Sequence, residues 1–312
     1  MKHILLFVCA LTTLQAQWKY TGITADRGVI ALHPSDSLTV FAAGYVGGKI
    51  GVYKSTDGGE NWSFSSQGLL FQYLRKILVD PNNPEVMYVA GQSLAMGIAK
   101  STDGGITWIK SDSGLAIDHH GYTVSDIALD AKRNILYAAD WTIGGGIYRS
   151  TDGGRYWKQI RSEFVNPFFA NGLFADSTDG SLYAWERSLW VSADSAATWD
   201  NLGEKLPEGI GDFALCLGYN KMYVIAGYRL FSKSSDGAEW FPISHPLLSD
   251  KRIGGIEINP RDSSTLYVGC IWTPFGSPTG GILRSTDTGM SWEIFSSGIP
   301  GNPDSIDVSG LK

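Results

Sequence analysis

The sequence is poor in charge and in helical periodicity, and each shortage narrows the classes of protein that it can encode. Charged residues make up 18% of the 312 residues, and 31 Asp and Glu outnumber 25 Lys and Arg. No basic stripe stands out, so we expect neither a nucleic-acid partner nor an anionic membrane surface as a partner. No stretch repeats apolar residues at a 3.6-residue period, so we predict very little helix.

Cysteine is also scarce: of three cysteines, only Cys216 and Cys270 lie beyond the first 17 residues. Neither has a second Cys or a His at metal-ligand spacing. Both lie in apolar, strand-like runs, which favours two buried and unpaired thiols. A disulfide between neighbouring repeats is the alternative in an exported protein.

The chain lacks the short motifs that mark common catalytic and cofactor sites. It has no Walker-type loop, no dinucleotide fingerprint and no nucleophile elbow. Asp118, His119 and His120 form the one cluster with metal-ligand chemistry. Adjacent histidines on an extended segment point to opposite sides, so we predict no metal there. No cofactor is expected.

The first 17 residues have the pattern of a secretory signal peptide. Lys2 and His3 precede an apolar run of about eleven residues, which is too short to span a bilayer, and Ala16 offers a cleavage point. We therefore expect export to the periplasm, cell surface or extracellular space, without membrane insertion. The alternative is a buried first strand. Residues 18–312 are predicted to form one domain.

What the chain does contain is one eight-residue phrase, Ser-x-Asp-x-Gly-x-x-Trp, in six copies that start 42 to 51 residues apart. A period of about 40–50 residues is typical of repeats in which each unit is one small sheet. Copy four has Ala196 in place of Gly, and copy five, which starts at Ser234, is one residue short. The phrase residues in chain order are Ser55, Asp57, Gly59, Trp62, Ser101, Asp103, Gly105, Trp108, Ser150, Asp152, Gly154, Trp157, Ser192, Asp194, Trp199, Asp236, Trp240, Ser285, Asp287, Gly289 and Trp292.

Four short apolar runs, separated by turns rich in Pro, Asn, Asp and Gly, recur around the copies. This order predicts four-stranded antiparallel meanders in which the phrase joins strands three and four. Six such sheets predict an all-β protein, a β-propeller, because stacking the sheets around a ring buries both faces of each. Residues 17–22 look like an isolated fourth strand and residues 304–309 like an isolated first strand. We therefore predict six recognisable blades and a partial seventh, in a ring of six or seven positions.

The phrase is interpreted as structural. Its Ser and Asp side chains can accept hydrogen bonds from backbone N–H groups in a tight hairpin, and its Gly permits a positive φ. Its Trp is expected to be buried between adjacent sheets. An Asp at six equivalent places cannot mark six active sites. We expect distorted hairpins in copies four and five.

The phrase closely resembles the Asp-box, or bacterial neuraminidase repeat, and the resemblance covers nearly the whole chain after residue 17. That superfamily includes sialidases, xyloglucan-cleaving glycoside hydrolases, sortilin-type receptor propellers and photosystem II assembly factors. The chain looks most like the last three. The resemblance implies the fold, and fold kinship alone does not fix the function.

In such meanders, the loops between strands two and three and the connections between sheets lie at the end opposite the phrase. The resemblance implies that a ligand binds at this end. Its residues are aromatic and of mixed charge, which suits stacking on sugar rings or anchoring a protein partner. The longest of these loops spans residues 271–281. The expected ligand-binding residues are Tyr73, Arg75, Trp141, Arg187, Tyr228, Arg229, Arg252, Trp272 and Phe275.

Catalysis is weakly supported by the sequence. A sialidase needs three arginines around the substrate carboxylate, and the N-terminal Arg-Ile-Pro-like motif of that family is missing. Arg149 and Arg284 precede copies of the phrase and match Lys54 and Lys100, so we predict outward strand positions for them. A typical glycoside hydrolase needs two carboxyls about 5–9.5 Å apart, and no pair is distinguished by spacing. The weak catalytic candidates are Asp118, Asp140, Glu186, Asp212 and Asp250.

The sequence therefore favours an exported, monomeric, non-catalytic binding module for a polysaccharide or a protein. One alternative is a glycoside hydrolase with two acids at the loop end of the sheets. Another is an assembly or adhesion scaffold. A patch that joins Arg75, Arg187, Arg229 and Arg252 would favour an acidic protein partner.

Overall fold

The computed structural model describes residues 4–10, 17–46, 49–142, 145–160, 170–207, 209–216, 219–259, 262–271 and 281–295. Within these ranges the protein consists of strands and turns, and no helix there is long and apolar enough to cross a membrane. The chain forms two compact units. The first unit is Val29–Gly203, and the second is Glu204–Lys312 together with Met1–Gly28.

The first unit contains three four-stranded antiparallel meanders in which strands that follow each other in the chain pair with each other. The first two meanders are joined, since Tyr122 and Thr123 in the second pair with Ser93 and Gln92 in the first. The strands are β6 (Tyr73–Val79), β7 (Met87–Ser93), β8 (Ile98–Ser101) and β9 (Ile109–Lys110); β10 (Tyr122–Asp130), β11 (Ile135–Asp140), β12 (Gly146–Ser150) and β13 (Lys158–Ile160); and β14 (Gly172–Ala175), β15 (Leu182–Trp185), β16 (Leu189–Ser192) and β17 (Asp200–Asn201).

The N-terminal sheet has the order β1-β2-β3-β4-β5 and differs from the prediction. Residues 17–22 are not an isolated strand but the start of a 16-residue β2, because β1 pairs along its first half and no proline interrupts it. Cleavage after residue 17 stays a prediction, and residues 304–309 lie outside the described residues. The strands are β1 (Ile4–Ala10), β2 (Gln17–Leu32), β3 (Val40–Val46), β4 (Lys49–Ser55) and β5 (Ser63–Phe64).

The second unit contains two further antiparallel meanders of the same order. The strands of the first are β18 (Ile210–Cys216), β19 (Lys221–Ala226), β20 (Arg229–Ser234) and β21 (Phe241–Pro242), and those of the second are β22 (Arg252–Ile258), β23 (Leu266–Ile271), β24 (Gly281–Ser285) and β25 (Glu293–Ile294). Cys216 and Cys270 are buried and unpaired.

The core of each unit lies between neighbouring sheets. In the first unit, Tyr88 and Ile98 of one meander pack with Ile127, Leu136 and Trp157 of the next. Burial of a side chain of this size contributes about 1.5–3 kcal/mol. Of the phrase tryptophans, those of copies two, three, four and six are buried and those of copies one and five are half-buried.

The phrase forms the same hairpin in copies one, two, three, four and six. In copy two, the Ser101 hydroxyl donates to the Asp103 carboxylate (2.7 Å) and accepts a hydrogen bond from the Gly105 N–H (2.9 Å). The Thr107 N–H donates to the same carboxylate (2.9 Å). The carboxylate thereby holds the backbone of the turn, since it accepts donors on both sides of it.

The expectation of two distorted hairpins is wrong for copy four. Ser195 and Ala196 adopt φ of 60° and 71°, and the Ala196 N–H still donates to Ser192 Oγ (2.8 Å). In copy five the missing residue matters more. Ser234 is exposed there and its hydroxyl bonds Asp236 and the Asn220 carbonyl.

The basic residue before the phrase is not simply outward-facing, as the sequence suggested. In copies one to three this residue is half-buried. Its long side chain reaches the hairpin of the next copy and donates to a backbone carbonyl there, that of the fourth residue of the phrase. Arg284 instead pairs with Glu293 of its own sheet. The three links are Lys54 to Gly104 (3.2 Å), Lys100 to Gly153 (2.9 Å) and Arg149 to Ser195 (3.4 Å).

We predict acid unfolding driven by the phrase carboxylates. In the folded protein, the carboxylates of copies one, two, three, four and six accept hydrogen bonds from the residue four positions after the Asp, which lower the pKa of each carboxylate below the ordinary 3.8. The stability that the carboxylates contribute is therefore complete above about pH 4 and is lost as pH falls toward 2. Tryptophan fluorescence against pH measures this. The pKa is lowered to about 2 in Asp57, Asp103, Asp194 and Asp287.

Asp103→Asn should lower stability at pH 7 and reduce the acid slope of the unfolding free energy by about one proton. Asp236→Asn in copy five is the matched control, because Asp236 is exposed and the Ser234 hydroxyl is the main cause of its lowered pKa, whereas Thr107 is the main cause for Asp103. An equal effect of both variants would contradict the role assigned to the hairpin geometry.

A second prediction concerns the phrase glycines. A Cβ on Gly154 (φ +84°) would lie 2.8 Å from Ser111 Oγ and 3.1 Å from the Tyr88 ring, so Gly154→Ala should destabilise by about 2–4 kcal/mol. Gly58 has a similar φ of +73° and meets only Leu38 at 3.6 Å, so Gly58→Ala should cost about 1 kcal/mol. Urea unfolding compares them, and equal losses would refute the packing argument.

Candidate functional site

The first strands of four sheets carry a β-bulge near the loop end, the end opposite the phrase hairpins. The extra residue is Arg75 in β6, Ser125 in β10, Gly211 in β18 and Gly254 in β22. Bulges re-aim side chains and are frequent next to functional sites. Three of these positions hold small residues, so the large cation at the fourth is the exception.

Arg75 lies over the indole of Trp141, with its guanidinium carbon 4.8 Å from the ring centroid. The indole is held in place, since Trp141 donates its backbone N–H to Thr123 O (2.8 Å) and its Nε1–H to Ala170 O (2.9 Å). Both stacked side chains are half-buried. A cation over an indole contributes about 1 kcal/mol and fixes the direction of the guanidinium.

Four large apolar side chains in or beside the connections and loops at the loop end of the first unit are more than half exposed: Leu70, Tyr73, Leu94 and Ile117. The segments that carry the first three are linked, because the Gln72 N–H donates to Gln92 O (3.0 Å) and the Ser93 hydroxyl donates to Leu70 O. Large exposed apolar side chains at one end of a protein are candidates for an interaction site. We call the set Leu70, Tyr73, Arg75, Leu94, Ile117 and Trp141 the first-unit rim.

Two carboxylates directly after the bulges bind neighbouring sheets. Asp126 accepts hydrogen bonds from the N–H groups of Ile127 (2.8 Å) and Leu173 (2.9 Å), and Lys76 lies 3.0 Å away. Asp212 likewise accepts from Phe213 (2.9 Å) and Ile256 (3.1 Å). Asp212, a catalytic candidate of the sequence, thus has a structural task. Sequence reasoning missed Asp126, although both follow an apolar residue by two positions.

Asp140 is almost fully buried at the end of β11, with 1% of its surface exposed. Its Oδ1 accepts from the N–H (2.9 Å) and hydroxyl (2.5 Å) of Thr142, and Oδ2 has no hydrogen-bond partner of normal geometry among the described residues. Burial raises the pKa of Asp140, and the charge of Asp118 raises it further. The hydrogen bonds from Thr142 lower this pKa but do not cancel the rise. A buried carboxyl with a raised pKa is a candidate general acid.

The other acidic candidates are more open. Asp118 is half-buried and accepts a hydrogen bond from the His120 N–H (2.7 Å). Glu186 lies 3.6 Å from Arg187 at a hairpin tip, and Asp250 is exposed. Of the five acidic candidates, Asp140 is therefore the most deeply buried.

The two histidines do not point to opposite sides. Their ring centroids lie 3.9 Å apart, because residues 118–121 form a turn closed by a hydrogen bond from Gly121 N to Asp118 O (3.0 Å) rather than an extended segment. Over the described ranges, no group of three or more His, Cys, Asp or Glu has an arrangement that would hold a metal ion.

The loop end of the second unit carries Tyr228, Arg229 and Arg252. Gly227 and Tyr228 form a two-residue turn with φ of 55° and 65°. The Tyr228 ring is half exposed and lies under the Arg252 guanidinium at 5.0 Å. Of the four arginines whose joint patch would favour an acidic protein partner, Arg75 and Arg187 belong to the first unit and Arg229 and Arg252 to the second.

Beside this turn is a cleft of about 440 Å³, a volume typical of small-ligand sites. Sequence reasoning missed it and its Lys251, because the cleft arises from the fold of a connecting loop and no motif marks it. Trp272 and Phe275 lie outside the described residues. The cleft is lined by Arg229, Leu230, Pro242, Ile243, Ser244, His245, Pro246, Leu248, Ser249, Lys251 and Ile253.

Solved structures with the same fold include proteins of several functions. The GH74 xyloglucanase from Xanthomonas campestris matches with a TM-score of 0.70 at 18% identity, over 89% of this chain and 46% of that one. YCF48 bound to D1 peptide matches with a TM-score of 0.53 at 17% identity, over 72% and 68%. The extracellular domain of a putative hybrid two-component system from B. thetaiotaomicron matches with a TM-score of 0.60 at 10% identity, over 93% and 34%.

These likenesses establish the fold: the chain is an all-β protein of the β-propeller class, built from four-stranded antiparallel sheets. The chain spans less than half the length of the xyloglucanase. No protein-family model matches it, and no curated protein matches it. At identities below 25%, the comparisons say nothing of its activity.

We predict that the stability difference between the protein and Asp140→Asn changes with pH. The folded pKa of Asp140 is raised above its ordinary 3.8, so its favourable contribution is complete below that value and is lost as pH rises through the folded pKa. The variant should therefore gain stability relative to the protein between pH 4 and pH 7. Thermal unfolding across this range measures it, with Asp250→Asn as the exposed control. A constant difference would contradict the assigned burial.

Proposed function

We propose that the protein is an exported, non-catalytic binding module whose first-unit rim engages a protein or peptide partner. The proposal depends on Arg75, whose guanidinium is stacked on the Trp141 indole. Arg75 is the extra residue of a β-bulge, and the corresponding bulges of the other three sheets hold small residues. A fixed cation-aromatic pair needs little ordering when a partner binds.

The chemistry of the rim favours a protein over a polysaccharide at this site. Binding energy at protein interfaces is concentrated in Trp, Tyr and Arg, surrounded by apolar contacts that exclude water. The rim combines Arg75, Trp141 and Tyr73 with exposed aliphatic side chains. A propeller of the same fold, YCF48, has been solved with a peptide bound, which supports the proposal at the level of the fold.

Export rests on the apolar N-terminal run. The extracellular domain among the structural neighbours agrees with an exported propeller, again at the level of the fold. The alternatives of a polysaccharide ligand and of an assembly or adhesion scaffold stay open for other surfaces.

The test is a peptide-array and glycan-array screen of the full-length chain, followed by titration calorimetry on the best peptide. We predict that Tyr73→Ala and Arg75→Lys each raise the Kd for that peptide about tenfold or more. Lysine keeps the charge of Arg75 but not its planar stack on the indole.

Arg155→Lys, at an exposed hairpin of copy three, is the matched control and should leave the Kd unchanged. Thermal unfolding of each variant separates lost binding from lost folding. The proposal fails if no peptide binds, or if Tyr73→Ala and Arg75→Lys bind the peptide as tightly as the unmodified protein.

A glycoside hydrolase is the second candidate, because Asp140 is buried with a raised pKa in the manner of a general acid. Reducing-sugar release from a polysaccharide panel tests it. Release that is abolished in Asp140→Asn and retained in Asp250→Asn would replace the binding module by a hydrolase.

A further inference from the structure

We propose that the cleft in the second unit binds an acidic saccharide, with a uronic-acid carboxylate held by Arg229, His245 and Lys251. The cleft is distinct from the first-unit rim, and the inference does not rest on peptide binding there. It assigns a ligand class to a site formed by residues 229–253.

The polar groups of the cleft are hydrogen-bond donors. Arg229 and Lys251 carry positive charge, and none of the lining residues is acidic. His245 accepts the Leu247 N–H at Nδ1 (3.2 Å), so Nε2 is the ring nitrogen that can donate to a ligand. Such a donor set is complementary to an anionic, acceptor-rich ligand.

The cleft is held open by the backbone that surrounds it. The Ile243 N–H donates to Leu230 O (2.9 Å), and the Leu248 N–H donates to His245 O (2.9 Å). The Ser249 hydroxyl donates to Pro246 O (2.9 Å), so the loop closes on itself. Leu248 and Ile253 are buried and supply an apolar floor. A floor of this kind suits the C–H surface of a sugar ring.

A strained turn with an aromatic residue adjoins the cleft. Tyr228 precedes the lining residue Arg229, and its carbonyl accepts the N–H of the lining residue Ile253 (3.0 Å). A tyrosine with a φ of 65° is costly where Gly or Asn would be relaxed. Strain kept at a half-exposed aromatic beside a cleft favours a functional reason, and a sugar ring stacks on such a surface.

Size and composition favour a saccharide over an acidic peptide. A volume of about 440 Å³ is of small-ligand scale, whereas a standard protein interface buries about 800 Å² on each partner. The combination of cations, an apolar floor and an adjoining aromatic residue fits a short acidic sugar chain. Its carboxylate would lie inside the cleft, and its next ring on the face of Tyr228 that the Arg252 guanidinium does not cover.

The test is titration calorimetry of the full-length chain with trigalacturonate, with neutral galactotriose of the same length, and with hexaglutamate. We expect trigalacturonate to bind and galactotriose to bind at least about tenfold more weakly, because a charge-assisted hydrogen bond discriminates by that factor or more. Arg229→Gln and Lys251→Gln should each raise the Kd for trigalacturonate by a similar factor.

The Tyr228→Asn variant distinguishes the contribution of the ring to binding from its contribution to stability. Asn tolerates a positive φ, so this variant should keep or raise the melting temperature while it weakens trigalacturonate binding. Arg155→Gln removes an exposed positive charge elsewhere and should leave the affinity unchanged.

The inference is overturned if trigalacturonate does not bind, if the cleft variants bind it unchanged, or if galactotriose binds equally well. Tighter binding of hexaglutamate than of trigalacturonate would also overturn it and would assign the cleft to acidic peptides.

Discussion

The structure of the first unit depends on a reciprocal hydrogen-bond pair that joins neighbouring sheets through a buried indole at two junctions. Trp157 donates its Nε1–H to Ser111 O (2.8 Å), and the Ser111 hydroxyl donates back to Gly154 O (2.7 Å). Trp108, Ser65 and Gly105 repeat the arrangement one sheet earlier. The indole fills the apolar space between sheets and satisfies its one polar atom there, so packing and register are fixed together.

The opposite end of the sheets is fixed by the carboxylates after the bulges. Asp126 spans three sheets, since it accepts the Leu173 N–H and lies 3.0 Å from Lys76. Asp212 makes the equivalent bond to Ile256 in the second unit. Because these bonds hold the strand ends, the loop end is a rigid support, and side chains placed on it are held in position before a ligand arrives.

The sequence was sufficient to predict the four-stranded sheets after the N-terminal one and the hairpins of the regular copies, because the Ser, Asp and Gly of the phrase are the residues that make its hydrogen bonds. It was insufficient where tertiary pairing decides. The continuous β2 depends on its pairing with β1, and the contact between His119 and His120 depends on a turn that no motif marks. The cleft beside Tyr228 depends on how a connecting loop closes on itself, which no sequence motif marks.

The division between repeated and unrepeated features separates structural residues from candidate functional ones. A feature that every sheet needs recurs in nearly every sheet, as the phrase carboxylate does. Arg75 occupies a bulge that elsewhere holds Ser or Gly, Asp140 buries a carboxyl oxygen at a strand end, and Tyr228 keeps a strained turn. Each of the three lies at the loop end. Departures from the repeat that carry an energetic cost are therefore the positions where a function is to be sought.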